Sequence, residues 1–113
     1  MIRLKEGVSL AGLTTQALLG IKVAEAVYEK YDRVLWITSV NDGKHDETSL
    51  HHSGNAFDCR VWHLESWEQV KQIGDEIKAA LGSDYDVVLE GRTLDNENAH
   101  IHVEYQPRQR TEI

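Results

Sequence analysis

Cysteine and proline are nearly missing: the 113 residues hold one of each, Cys59 and Pro107. A lone cysteine closes no intrachain disulfide, so the fold must rest on burial and hydrogen bonding. Its use fits a reducing compartment, or a short-lived passage through an oxidising one. There is no Pro/Gly/Ser linker, no repeat and no low-complexity tract. Positive charge is also short, with 12 Lys+Arg against 19 Asp+Glu, a formal charge of −7. Nucleic-acid binding displaces counterions with Lys and Arg, so a broad phosphate-binding surface is disfavoured, as is docking on anionic lipid. A small basic pocket remains allowed. Long apolar runs are missing too. The start, MIRLKEGVSLAGL, carries charges and no apolar h-region, and no stretch is long enough to cross a bilayer. The expectation is a protein synthesised in the cytoplasm without a signal peptide, a monomer that binds no nucleic acid and inserts in no membrane. Its length suits one domain with one modest core.

What is present reads as an α+β domain. Thr14 and Thr15 can cap a helix over about 15–31, whose Ala17, Leu18, Ile21, Ala24, Val27, Tyr28 and Tyr31 follow the i, i+3, i+4 pattern of one buried face. VLWITSV (34–40) is β-branched and apolar, a strand buried on much of both faces. NDGKHDET (41–48) is a polar loop, and NAFDCRVW (55–62) alternates as a second strand. Ser66 can cap a helix over about 66–81, striped by Val70, Ile73, Ile77 and Leu81 and stopped at Gly82. YDVVLE (85–90) and AHIHVEY (99–105) are two more strands, joined by the polar GRTLDNEN (91–98). The expected architecture is a small, mainly antiparallel sheet of about four strands with two helices on one side. The single domain, 1–113, has a core of about 14–106 and a tail, 107–113, expected to fray.

Strand alternation sorts the polar residues. Ala99, Ile101, Val103 and Tyr105 form one set of the last strand, while His100, His102 and Glu104 form the other. In the second strand Asp58 and Arg60 oppose Phe57, Cys59 and Val61, so Cys59 belongs with the core. In the third, Val88 and Glu90 lie together. One open face therefore collects Asp58, Glu90, His100 and His102, with His51 and His52 in the adjoining loop. Two imidazoles and a carboxylate suit Zn²⁺ with a fourth position left for water, and a further carboxylate or imidazole could move that water's proton. Taken singly, each residue has a blander role as a solvated or half-buried polar group, and His63 is read that way. Together they weigh differently, because five of only six histidines fall in two segments.

Ser49, His51, Gly54, Ala56 and Asp58 form S-x-H-x-x-G-x-A-x-D, and His100 and His102 form H-x-H. The pair resembles the LAS group of zinc peptidases: D-Ala-D-Ala carboxypeptidases of the M15 type, related phage endolysins, and the amino-terminal domain of hedgehog proteins. The likeness spans roughly residues 34–105. It implies a hedgehog/DD-peptidase-like fold with His51, Asp58 and His102 as zinc ligands. His52 falls on a variable position. His45 matches a rim histidine in such proteins, and Glu90 resembles the glutamate some members use as general base. The E/D-x-x-H form of the base is missing, since Ala99 stands three residues before His102. Glu97, three before His100, is the runner-up. No H-E-x-x-H occurs, which excludes a helix-based zincin.

The resemblance implies a zinc metallopeptidase that hydrolyses peptidoglycan stem peptides as a carboxypeptidase or endopeptidase. Glu90 would be its base and His100 would assist at the oxyanion or share the proton work. Ser49, His45 and Arg60 are candidates for the rim and the substrate carboxylate. A phage lysin or virion-associated enzyme acting on the cell wall fits the missing signal peptide. The rival from another class is a zinc-binding interaction module of the same fold without turnover. A nuclease of the HNH kind is disfavoured by the charge. Ligand imidazoles of ordinary pKa would release metal below about pH 6.

Overall fold

A computed structural model describes residues 1–40 and 54–107. Seven elements follow in chain order: β1 (Ile2–Leu4), α1 (Thr15–Lys30), β2 (Leu35–Val40), β3 (Ala56–Arg60), α2 (Trp67–Leu81), β4 (Tyr85–Glu90) and β5 (His100–Tyr105). The helices start where the caps predict. The Thr14 hydroxyl accepts from the Ala17 N–H and the Ser66 hydroxyl from the Gln69 N–H, and α2 stops at Gly82 with φ +84°.

The strands form one sheet in the order β1-β2-β3-β5-β4. The neighbours β2/β3, β3/β5 and β5/β4 are antiparallel, and β1 lies parallel to β2. The sheet thus has five strands and mixed pairing, one more than expected. The extra strand, Ile-Arg-Leu, is too short and too charged to carry an alternation signal; its pairing with Leu35, Trp36 and Ile37 makes it a strand. The 91–98 connection closes a β4/β5 hairpin, with Glu90 opposite His100.

Both helices pack against one face of the sheet and against each other. Ile21, Ala24, Tyr28, Val70, Ile73 and Ile77 meet Leu35, Ile37, Phe57, Cys59, Ile101 and Val103 there. Gly20 brings α1 close to the sheet, since a Cβ at that position would stand 3.1 Å from the Phe57 ring. Leu18, expected on the buried face, is 40% exposed. It follows Ala17 by one residue, about 100° around the helix, and so falls off the stripe. Cys59 is fully buried, and burial pushes its thiol pKa far up, consistent with a structural role. Among the described residues no helix is long and apolar enough to cross a membrane.

Two contacts tie Tyr28 of α1 to β3 and to the segment that follows it. The buried Tyr28 hydroxyl donates to the Arg60 carbonyl at 2.8 Å. His63, expected to be a solvated residue, is half-buried instead. Its Nε2–H donates to the Val34 carbonyl at 2.8 Å and its ring stacks on Tyr28. Burial lowers its pKa, so the imidazole is a neutral structural piece at the corner between β3 and α2.

Candidate functional site

The ladder registers place the polar residues in rows across the open face. Asp58 lies opposite His102, which lies opposite Val88; Arg60 lies opposite His100, which lies opposite Glu90. Successive rows on one face are two residues apart, about 7 Å. Alternation therefore puts Asp58, Arg60, Glu90, His100, His102 and Glu104 on the same side, as the sequence implies.

His102 is the centre of this face. Its Nδ1 lies 2.7 Å from Asp58 Oδ1 and its Nε2 lies 2.9 Å from Glu104 Oε1. The Asp58 hydrogen bond, reinforced by Glu104, raises the His102 pKa to about 9 against the cost of burial. His100 reaches the same carboxylate more loosely, with Nε2 at 3.8 Å from Asp58 Oδ1. Its Nδ1 is 2.7 Å from the Asn98 carbonyl, which can only accept, so Nδ1 carries a proton and Nε2 is left to face the site.

Two shallow clefts flank the pair and share Ser39. One, of about 230 Å³, is lined by Ser39, Val40, Ala56, Phe57, Asp58, His102 and Glu104. The other, of about 320 Å³, is lined by Lys5, Thr38, Ser39, Arg60, Trp62, Glu97, Asn98, Ala99 and His100. In the second cleft the Arg60 guanidinium is held between two indoles, 4.3 Å from the Trp36 ring and 4.4 Å from the exposed Trp62 ring. Such stacking fixes the plane of the fork and leaves its nitrogen edge as the recognition surface.

Of the residues singled out in the sequence, the fold brings together Asp58, His102 and His100, with Arg60 in the adjacent row. Glu90 is exposed on the edge strand, beside His100 and outside the residues lining either cleft. Glu97 lines the second cleft. His45, Ser49, His51 and His52 lie outside the described residues.

Sequence reasoning put Glu104 on this face without giving it a task, and passed over Asn55. Asn55 is buried, and its side-chain carbonyl accepts from the Thr14 hydroxyl at 2.7 Å while its backbone carbonyl accepts from Tyr105 N–H. The signal for Glu104 was its i+2 position after His102; Asn55 carried none, because its partners are distant in sequence.

Asp58 and His102 are donors of the kind a divalent zinc ion takes, and they already face each other. Among the described residues no third His, Cys, Asp or Glu converges with them on one point. Glu104 does not, because it sits on the opposite nitrogen of the same imidazole.

The raised pKa sets the pH dependence of the metal-free protein's stability and, if the two residues hold zinc, that of metal uptake. His102 is raised from an unfolded value near 6.5, so its contribution to stability is complete below about pH 6.5 and is lost as pH rises towards 9. A metal must displace that proton, so zinc affinity should climb with pH up to about 9, by roughly tenfold per unit. If the two residues hold zinc, release would then begin well above the pH 6 expected for ordinary imidazoles. Zinc titrations and urea unfolding between pH 6 and pH 10 check both slopes; a flat zinc profile above pH 7 contradicts them. No protein-family model, curated protein or solved structure matches the chain.

Proposed function

We propose that the chain is a zinc-dependent peptidase acting on peptidoglycan stem peptides. The observation that carries this reading is the direct contact of Asp58 and His102 across the β3/β5 ladder, on residues 44 apart in sequence. A solvated surface pair needs no such convergence with a second histidine and a clamped arginine alongside. Asp58, His102 and His51 would hold the ion, which when bound supplies Lewis acidity and lowers the pKa of water at the site.

The remaining roles belong to the chain's own groups. His100, with Nε2 turned to Asp58, accepts and returns a proton near the scissile bond. Glu90, beside it across the ladder, is the carboxylate that takes the proton from water and passes it to the leaving amine. Arg60, gripped by Trp36 and Trp62, takes a substrate carboxylate at a distance of one row from Asp58. The resemblance would add Ser49 and His45, which lie outside the described residues, to the substrate rim. The setting proposed is the cell wall, reached by a phage lysin or a virion-associated enzyme.

The rival reading is a zinc-binding interaction module without turnover. It is favoured by one observation, the exposure of Glu90 outside both clefts. Digestion of purified murein and defined muropeptides, with products identified by mass spectrometry, separates the two. The peptidase reading expects stem-peptide cleavage by the zinc-loaded wild type and loss of about 100-fold or more in Glu90→Gln with zinc retained. Full zinc occupancy with no cleavage of any muropeptide hands the case to the module.

A further inference from the structure

We infer that Glu104 is a positioning residue for metal binding, acting through His102; the inference rests on the reading of Asp58 and His102 as ligands. Asp58 Oδ1 occupies the Nδ1 side of the imidazole at 2.7 Å, so an ion shared by the two residues must take Nδ1. That ligation requires the neutral ring to keep its proton on Nε2. Glu104 Oε1 lies 2.9 Å from Nε2 and accepts that proton's hydrogen bond. The tautomer is thereby chosen, the ring plane is held, and Nδ1 becomes a stronger donor.

The carboxylate is itself held from behind. The Gln106 side-chain amide donates to Glu104 Oε2, leaving Oε1 turned to the ring. The order Asp58, His102, Glu104, Gln106 thus forms a continuous chain of hydrogen bonds along and across β5. The geometry follows from strand periodicity: Glu104 and His102 are two residues apart on one strand, hence on the same face and within side-chain reach. Glu104 is placed to orient the ring and not to ligate, because its oxygen and Asp58's address opposite nitrogens.

The test reads zinc affinity, by competition with a chromogenic chelator, on the full chain. Glu104→Ala should weaken zinc binding by about 10- to 100-fold, the range found for loss of a carboxylate behind a ligating histidine. Glu104→Gln, which keeps an acceptor of the same shape, should recover part of that loss. The urea midpoint of the metal-free protein reports any structural damage separately. In zinc-loaded wild type, long-range ¹H–¹⁵N spectra should show His102 metallated at Nδ1 and protonated at Nε2. Wild-type affinity in Glu104→Ala, or metal on Nε2, overturns the proposal and leaves the ligands standing. If wild type takes up no zinc, or His102→Ala binds it as tightly as wild type, the ligand reading has failed and this inference falls with it.

Discussion

Asp58→Ala and His102→Ala are each expected to strip the protein of zinc and of any muropeptide cleavage, while the chain still folds. The site geometry explains why the two effects separate. Both side chains lie on the open face, half-exposed, away from the core of Tyr28, Phe57, Ile73 and Ile101. Losing either partner costs the metal-free protein stability at neutral pH, but the apolar core that carries the fold is left intact. In the ligand role proposed for them the same residues would matter far more. Loss of one should lower zinc affinity by more than the roughly 100-fold typical of an outer partner. Without the ion, turnover should fall by several kcal/mol of barrier, about 10³-fold or more. His52→Ala, at the variable position of the motif, should keep zinc. Elemental analysis, chelator competition and muropeptide digestion on the four proteins give the answer. Equal zinc loss in His52→Ala would refute the choice between the neighbouring histidines, and retained zinc in His102→Ala would refute the site itself.

The parts of this picture that the sequence made legible are those governed by short-range periodicity. Alternation in AHIHVEY separated Ile101 and Val103 from His100 and His102, and the register of β3 against β5 bears that division out. Thr14, Ser66 and Gly82 marked helix ends because capping is a local hydrogen-bonding problem. What escaped depends on distant partners. Ile2–Leu4 becomes a strand only by lying against Leu35–Ile37. His63 is drawn inward by the Val34 carbonyl and the Tyr28 ring, neither near it in sequence. The Trp36–Arg60–Trp62 stack joins two strands, and only the 60–62 half is visible as an i, i+2 pair. The resemblance implied that Asp58 goes with His102 rather than His100; strand alternation alone left that open, and the β3/β5 register sets the two opposite each other. Which carboxylate would serve as base in the proposed reaction is the least legible point. Glu90 and Glu97 both end near His100, one across the ladder and the other in the cleft.

Gly54→Ala is expected to be the most damaging Gly→Ala change among the described residues, lowering stability by about 3 kcal/mol or more. Gly54 has φ +84°, where an alanine is strained by roughly 1–2 kcal/mol. Strain is the smaller part. A Cβ there would stand 2.3 Å from the Gly12 carbonyl oxygen, which is backbone and cannot rotate aside. The backbone cannot easily retreat either. The Gly54 carbonyl accepts from Thr14 N–H at 2.9 Å, and the next residue, the buried Asn55, accepts from the Thr14 hydroxyl. That same hydroxyl caps α1 through Ala17 N–H. One methyl group therefore pushes apart the start of α1 and the entry to β3, four residues before Asp58. The glycine in the S-x-H-x-x-G-x-A-x-D pattern thus has a steric reason independent of any metal. Gly7→Ala is the matched control: φ is +88°, yet nothing lies within 4 Å of the added carbon. It should cost only the backbone strain, so the difference between the two variants isolates the collision with Gly12. Urea unfolding of the metal-free proteins measures it, and equal losses in both variants would show that the corner yields to the methyl group after all.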